Sequence, residues 1–220
     1  RLREEIAAYP GVLKVEIGGS LRRFKEVVKD IDLVASAEEP GRTIREFINL
    51  PIVTEILAGG ETKGSVILKS GIQADLRVVK PEEFPHTLQH FTGSQEHNMA
   101  LRHHAKGLGY KVNEYGLFKE NDSEPIYCDD EAEIYQKLGL TYIPPELRED
   151  YGEIEAALNG RLPELTVPEA IQGIFHVHTD YSDGVNSLRE MVEAVISRGY
   201  RYLGITDHSR VAVYAGGLTE

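Results

Sequence analysis

Gly18-Gly-Ser-Leu-Arg-Arg-Phe-Lys-Glu-Val-Val-Lys-Asp-Ile-Asp32 joins a glycine-serine turn, paired arginines and two carboxylates in one short run. A third carboxylate, Asp75, follows in the strand-like run Ile72-Gln-Ala-Asp-Leu-Arg-Val-Val79. Residues i and i+2 of a strand face the same side, so Asp30 and Asp32 project together while Ile31 and Leu33 turn to the core. In the later run Asp75 and Arg77 share one face, and Ile72, Ala74, Leu76 and Val78 form the other. Carboxylates held side by side repel each other unless a cation lies between them. Magnesium suits such a place, because it takes carboxylate, water and phosphate oxygens together.

Upstream, Val12-Leu-Lys-Val-Glu-Ile17 is a short apolar strand that runs into Gly18, Gly19 and Ser20. Glycines let a backbone approach a ligand closely, and N–H groups at a turn that opens a helix bind anions. Arg22 and Arg23 are expected to add fixed positive charge for a polyphosphate tail. The Walker pattern, with Gly-Lys-Ser/Thr after a longer loop, is absent. Each part alone also fits an ordinary turn or a solvated strand edge. Their joint spacing points to metal-dependent nucleotidyl transfer.

Further along, Thr92, Gly93 and Ser94 punctuate the chain, and Gln95 to Gly107 reads as a helix capped by Ser94 or Thr92. Asn98 and Arg102 lie four apart on one face of it and can reach the same ligand. The rest reads as strand, turn, helix and strand to Ala35, a helix from Thr43 to Leu50, and a hairpin turning at Ser70-Gly71. Short strands then run to Tyr127, a short helix covers Glu131 to Leu138, and Pro144-Pro145 follows. Tyr151 to Pro168, with its prolines and acids, reads as a linker.

The chain resembles the family X DNA polymerases, the group of DNA polymerase beta. The resemblance rests on Gly19-Ser20-x-Arg22-Arg23, Asp30-x-Asp32, Gly60-Glu-Thr-Lys63, Asp75-x-Arg77, His90-Phe-Thr-Gly-Ser94 and Asn113-Glu-Tyr-Gly116, in that order. It implies an α+β nucleotidyltransferase palm over residues 1–84 and a small α+β thumb-like subdomain over 85–150, which handles the nascent base pair. Asp30, Asp32 and Asp75 become the catalytic carboxylates around Mg2+ (or Mn2+). Gly19, Ser20, Arg22, Arg23, His90, Phe91, Gly93 and Asn98 become nucleotide-binding, with Asn98 facing the base. Lys63, Arg77 and Arg102 become DNA-binding. Relatives of the polymerase beta kind carry Tyr where this chain has His90, which leaves the choice of sugar open; bacterial members resemble the chain more closely. The implied function is DNA-directed synthesis on gapped primer-template from dNTPs in short-gap and base excision repair, by a cytoplasmic monomer that needs no membrane.

A second signature, Gly173-Ile-Phe-His-Val-His-Thr-Asp-Tyr-Ser-Asp-Gly184, puts His176 and His178 two apart on a strand, with Asp183 in the loop beyond. A helix with Leu188, Met191, Val192, Val195 and Ile196 on its apolar side leads to a second strand ending in Thr206-Asp-His208. Strand, helix, strand with ligand-type residues at the strand ends is a parallel βαβ pattern, and imidazole with carboxylate suits zinc, manganese or iron. The segment resembles the opening of a polymerase and histidinol phosphatase (PHP) domain, a metal-dependent phosphoesterase of α/β barrel form. That implies a 151–169 linker, the first part of the barrel over 170–220, and His176, His178, Asp183 and His208 as ligands to Zn2+ or Mn2+. A barrel runs to about 200 residues or more, and fewer remain after Gly173. With no initial methionine, the chain reads as a fragment of weak polymerase and negligible phosphoesterase activity, without its DNA-gripping amino-terminal region.

Composition bears on partners. The net charge of −12 is not that of a strongly basic nucleic-acid binder. Its distribution is uneven: Glu120 to Glu133 carries seven acids and no base and reads as a solvated face, while Phe84 to Lys111 carries Arg102, Lys106 and Lys111 against Glu96. The single cysteine, Cys128, rules out an internal disulfide, fits a reducing compartment and reads as a buried apolar residue. Two other readings stay open: a phosphoesterase whose polymerase half is a scaffold, and a non-catalytic nucleic-acid binding module.

Overall fold

The structure, a computed structural model, describes residues 1–218 and divides into two compact units, Arg1–Leu162 and the residues from Pro163 onward. The architecture is mixed α+β, as the sequence suggests. In the first unit, helix α1 (Leu2–Ala7) leads to strand β1 (Val12–Ile17), a single helical turn α2 (Gly19–Arg22) and strand β2 (Asp30–Ala37). Helix α3 (Pro40–Ile48) and strands β3 (Val53–Gly59), β4 (Lys63–Leu68) and β5 (Gln73–Val79) complete one five-stranded sheet of order β1-β2-β5-β4-β3. The β2–β5 pair is parallel and the others are antiparallel.

Period two assigns the faces. Leu33, Ala35, Ala74, Leu76 and Val78 join Ile6 of α1 and Ile44 and Phe47 of α3 in the main core. On the opposite face Val34 and Val79 pack against Phe84 and Leu88. These belong to α4 (Phe84–Thr92), so Asp32 and Asp75, two residues from Val34 and four from Val79, share the α4 face. The expected helix Thr43–Leu50 begins earlier, at Pro40, because proline at the first helical position needs no hydrogen-bond donor. Ile72 lies outside β5 and is exposed rather than part of its buried face. Strand β3, which the sequence reading passed over, is an exposed edge.

A second core in the same unit gathers α5 (Gln95–Gly107), the hairpin β6 (Tyr110–Asn113) and β7 (Gly116–Lys119), and α6 (Glu131–Lys137) around Leu101, Val112, Leu117, Tyr135 and Leu138. Ser94 is the α5 cap, its Oγ accepting from the His97 amide at 3.1 Å. The expected linker is in part a packed element. Helix α7 (Glu153–Leu158) buries Ala157 in this core, and Glu153 accepts from the amides of Asp150 and Tyr151. His97 Nδ1 lies 2.6 Å from Glu153, and its Nε2 lies 2.9 Å from the Tyr135 hydroxyl. Glu153, which in sequence reads as one more acid of a linker, is buried against His97. Cys128 is buried as expected, and burial pushes its thiol up to about 11.

His86 on α4 is also buried, with no hydrogen bond from either ring nitrogen, and burial lowers its pKa to about 4 despite the Glu133 charge. The unfolded imidazole titrates near 6.5, so between pH 6.5 and about 4 the unfolded chain binds the extra proton and stability falls with pH. The unfolding free energy from urea titrations is expected to fall by about 3 kcal/mol across that window through this group, with no contribution above it. In His86→Leu that part of the acid slope disappears; an unchanged slope would assign it elsewhere.

In the second unit β8 (Gly173–Val177) and β9 (Tyr202–Ile205) pair in parallel, joined by α8 (Leu188–Ser197), which Ser187 and Glu190 open as a capping box. The expected βαβ order is present. The helix's apolar side is largely uncovered among the described residues: Val195 is buried, whereas Leu188, Val192 and Ile196 are exposed.

Candidate metal and nucleotide site

Parallel register sets Asp32 directly opposite Asp75 and Asp30 opposite Gln73. Asp75 accepts from the Ser65 hydroxyl on β4 and, at 2.9 Å, from the Gln73 amide. Burial first, and then the charges of Asp30 and Asp75, push the Asp32 carboxyl up to about 6, against the opposing pull of Arg23 and Lys63. A half-buried carboxylate that resists ionisation beside two others is short of positive charge, which is the environment a divalent cation relieves. The glycine turn is fitted to this place. Gly19 has φ +58, and a Cβ there would run into the Asp32 carboxylate.

Asp32 borders a cavity of about 340 Å3 lined also by His90, Phe91, Gly93, Asn98 and Arg102. The structure therefore brings together residues from β2, α4 and α5 that are far apart in sequence. Asn98 and Arg102 share it, as their helical spacing requires. Asp32, Lys63, Asp75, Arg77 and Phe91 line a smaller neighbouring cavity, and the Arg77 guanidinium lies 5.1 Å from the centre of the Phe91 ring. A third cavity, of about 300 Å3, adds Glu114 and Tyr115 to Arg77 and Phe91. The Asn113 side chain accepts from the Tyr115 amide and so shapes that hairpin turn.

The two arginines depart from expectation. Arg22 donates to Thr92 Oγ1 at 2.6 Å and to both oxygens of Glu131. Arg23 donates to Glu149 at 2.8 Å and to the Thr92 carbonyl. Neither is a free charge awaiting phosphate; both tie the turn to residues far along the chain. Glu131 is thus a correction to the solvated acidic run, since it is buried and also accepts from Arg148 at 2.7 Å. Burial raises its pKa, but Arg148 and Arg22 more than offset this and hold it below the ordinary value. Arg148 is fully buried, its guanidinium 5.2 and 5.5 Å from the ring centres of Tyr135 and Tyr142. Nothing in the spacing of these residues marks them; a buried glutamate among seven acids looks like its neighbours.

Among the described residues, one group of three metal-type donors closes to within 4.8 Å, and it lies in the second unit: His178, Asp183 and His208. Asp30, Asp32 and Asp75 do not close to that distance. His178 Nδ1 lies 2.7 Å from Asp183, which holds that carboxyl below its ordinary value. His176 is not in the group. Pairing shifts register between Ile174 and Val177, and His176 adopts φ +60, so strict alternation fails there, although its ring centre is 5.2 Å from that of His178. Asp207, unassigned by the sequence reading, accepts from the Thr179 amide, the Thr179 hydroxyl and the Ser182 hydroxyl at 2.7, 2.7 and 2.6 Å.

Comparison with known proteins adds independent findings. The DNA polymerase beta thumb family matches residues 87–149, and the PHP domain matches residues 175–216. The chain is 40% identical over 220 residues to the DNA polymerase/3'-5' exonuclease PolX of Bacillus subtilis, covering 99% of this chain and 38% of that protein. It is 33% identical over 136 residues to the Repair DNA polymerase X of African swine fever virus, covering 59% of this chain and 78% of the viral protein. Human DNA-directed DNA/RNA polymerase mu is 33% identical over 103 residues, 46% of this chain and 21% of the human one.

Proposed function

Because the chain belongs to the family X DNA polymerases, we propose that its first unit transfers a nucleotidyl group from a dNTP to a primer 3′-hydroxyl on gapped DNA, in repair. The observation that carries this reading is the placement of Asp32 opposite Asp75 on one sheet face, at the rim of the cavity lined by His90, Phe91, Asn98 and Arg102. Residues 1–84 serve as the palm, and the thumb-like part extends past 150 to include α7. Asp30, Asp32 and Asp75 would hold Mg2+ or Mn2+, which when bound supplies charge stabilisation to the attacking and leaving oxygens. The 3′-hydroxyl attacks the α-phosphorus, and the bond to pyrophosphate breaks. Catalysis here is mainly positioning. Gly19 and Ser20 cradle the phosphates and Arg23 lies beside them, while Arg22 anchors the turn through Glu131. Asn98 and Phe91 meet the base and sugar, and Lys63, Arg77 and Arg102 meet DNA. No helix among the described residues is long and apolar enough to cross a membrane.

The test is incorporation of each dNTP singly opposite each template base in a one-nucleotide gap. Matched incorporation alone is expected; addition without regard to template would make the unit a different nucleotidyltransferase.

The second unit begins a PHP phosphoesterase barrel that contributes the trimming activity of the whole protein. His178, Asp183 and His208, with His176 adjacent, would hold Zn2+ or Mn2+. Asp207, whose two oxygens accept three hydrogen bonds from Thr179 and Ser182, would fix the loop that carries Asp183. Asp207→Asn is expected to weaken Mn2+ binding about tenfold, measured by competition with a chelating dye. Unchanged affinity would show that the loop holds its shape without it.

A further inference from the structure

We infer that Gln89 is a positioning residue that fixes the orientation of the Asn98 side-chain amide toward the incoming base, an inference that rests on the nucleotide-site reading above. Asn98 Nδ2 donates to the His90 carbonyl at 2.7 Å, and Gln89 Nε2 donates to Asn98 Oδ1 at 2.9 Å. A backbone carbonyl only accepts, so the nitrogen end of the Asn98 amide must face His90. Its oxygen then faces Gln89, and the Gln89 amide must present its own nitrogen. The chain of donors and acceptors has one consistent solution.

Burial makes this solution binding. Gln89 is 2% exposed and Asn98 8%. Without the Gln89 donor, the Asn98 oxygen would be a buried acceptor lacking its partner, and the reason for the amide to keep this orientation would weaken. Gln89 sits on α4 and Asn98 on α5, so the bond also ties together the two helices on either side of Gly93-Ser94. Asn98 Nδ2 carries two hydrogens. One is held by His90, and the other is the donor this residue can offer in the cavity it lines. Adenine N3 and thymine O2 are acceptors at the minor-groove edge, and cytosine and guanine carry equivalent ones, so a single fixed donor there serves every base. Gln89 thereby sets nucleotide affinity without selecting among the four.

The test is a double-mutant cycle with Gln89→Met and Asn98→Ala, measuring Mg2+-dependent binding and turnover of all four dNTPs on gapped DNA with the 220-residue chain. Gln89→Met is expected to raise KM about fivefold for every dNTP with kcat unchanged, the size of one lost hydrogen bond. In the Asn98→Ala background it should add nothing. Binding that falls in Asn98→Ala and not in Gln89→Met, or losses that simply add, would overturn the inference and leave the nucleotide site standing. No dNTP binding by the parent chain would overturn both. Should the variants not fold, the parent labelled with 15N gives the answer. One Asn98 amide proton held by His90 and one that shifts on dNTP addition is the expected result, and two protons that ignore dNTP would overturn it.

Discussion

Asp75→Ala is expected to lower the rate of nucleotide incorporation by about a thousandfold or more, ~4 kcal/mol of transition-state stabilisation, while dNTP binding stays within a few-fold of the parent. Asp75 stands opposite Asp32 on one sheet face and does not line the cavity bordered by His90, Asn98 and Arg102. On the proposed reading its loss removes a group that acts as charge develops and spares those that would hold the base. Because Asp75 also accepts from Ser65 and Gln73, a structural role has to be separated from a chemical one. Asp75→Asn keeps an acceptor for Ser65 and removes the charge. The same loss of turnover with an unchanged melting temperature is expected. Separate binding and turnover assays decide; equal loss of both would make Asp75 structural.

The second large effect falls on stability. Glu131 is the shared partner of Arg22 and Arg148, and Arg148 is fully buried. Glu131→Ala leaves that guanidinium without its counter-charge in a low-dielectric site, and breaking one side of a buried pair costs about 3–5 kcal/mol. The urea midpoint should fall accordingly. Arg148→Met in the same chain should recover part of the loss, because it removes the stranded charge instead of leaving it. A fall of less than about 1 kcal/mol would place Glu131 among ordinary surface acids. The turn carrying Ser20 should also loosen, since Arg22 would then keep only Thr92.

Much of the first unit was legible from periodicity. The alternation around Asp30 and Asp75 gave the shared face, and the Thr92-Gly93-Ser94 break gave the start of α5 to the residue. Asn98 and Arg102 followed from helical spacing. Parallel register could not be read that way, because Asp32 and Asp75 meet only through β2–β5 pairing across α3 and two other strands. Polar burial was the main blind spot. Glu131, Arg148, Glu153 and Gln89 look solvated in a chain rich in acids, and only tertiary packing decides that each has a buried partner. The same holds for Arg22 and Arg23, since a pair of arginines beside a glycine turn reads as free charge until Glu131 and Glu149 arrive from far along the chain to pair with them. In the second unit, a register shift that alternation does not foresee moved His176 out of line. Asp207, which the motif left unassigned, accepts from Thr179 and Ser182 in the loop beyond the strand.

The most direct measurement is anomalous diffraction from crystals of the chain soaked with Mn2+ and a non-hydrolysable dNTP. Manganese between the carboxylates of Asp30, Asp32 and Asp75, with the nucleotide in the cavity lined by His90, Phe91, Asn98 and Arg102, is the predicted result. Manganese bound elsewhere, with Asp75 still held by Ser65 and Gln73 and no nucleotide in that cavity, would contradict the assignment of this sheet face as the seat of nucleotidyl transfer.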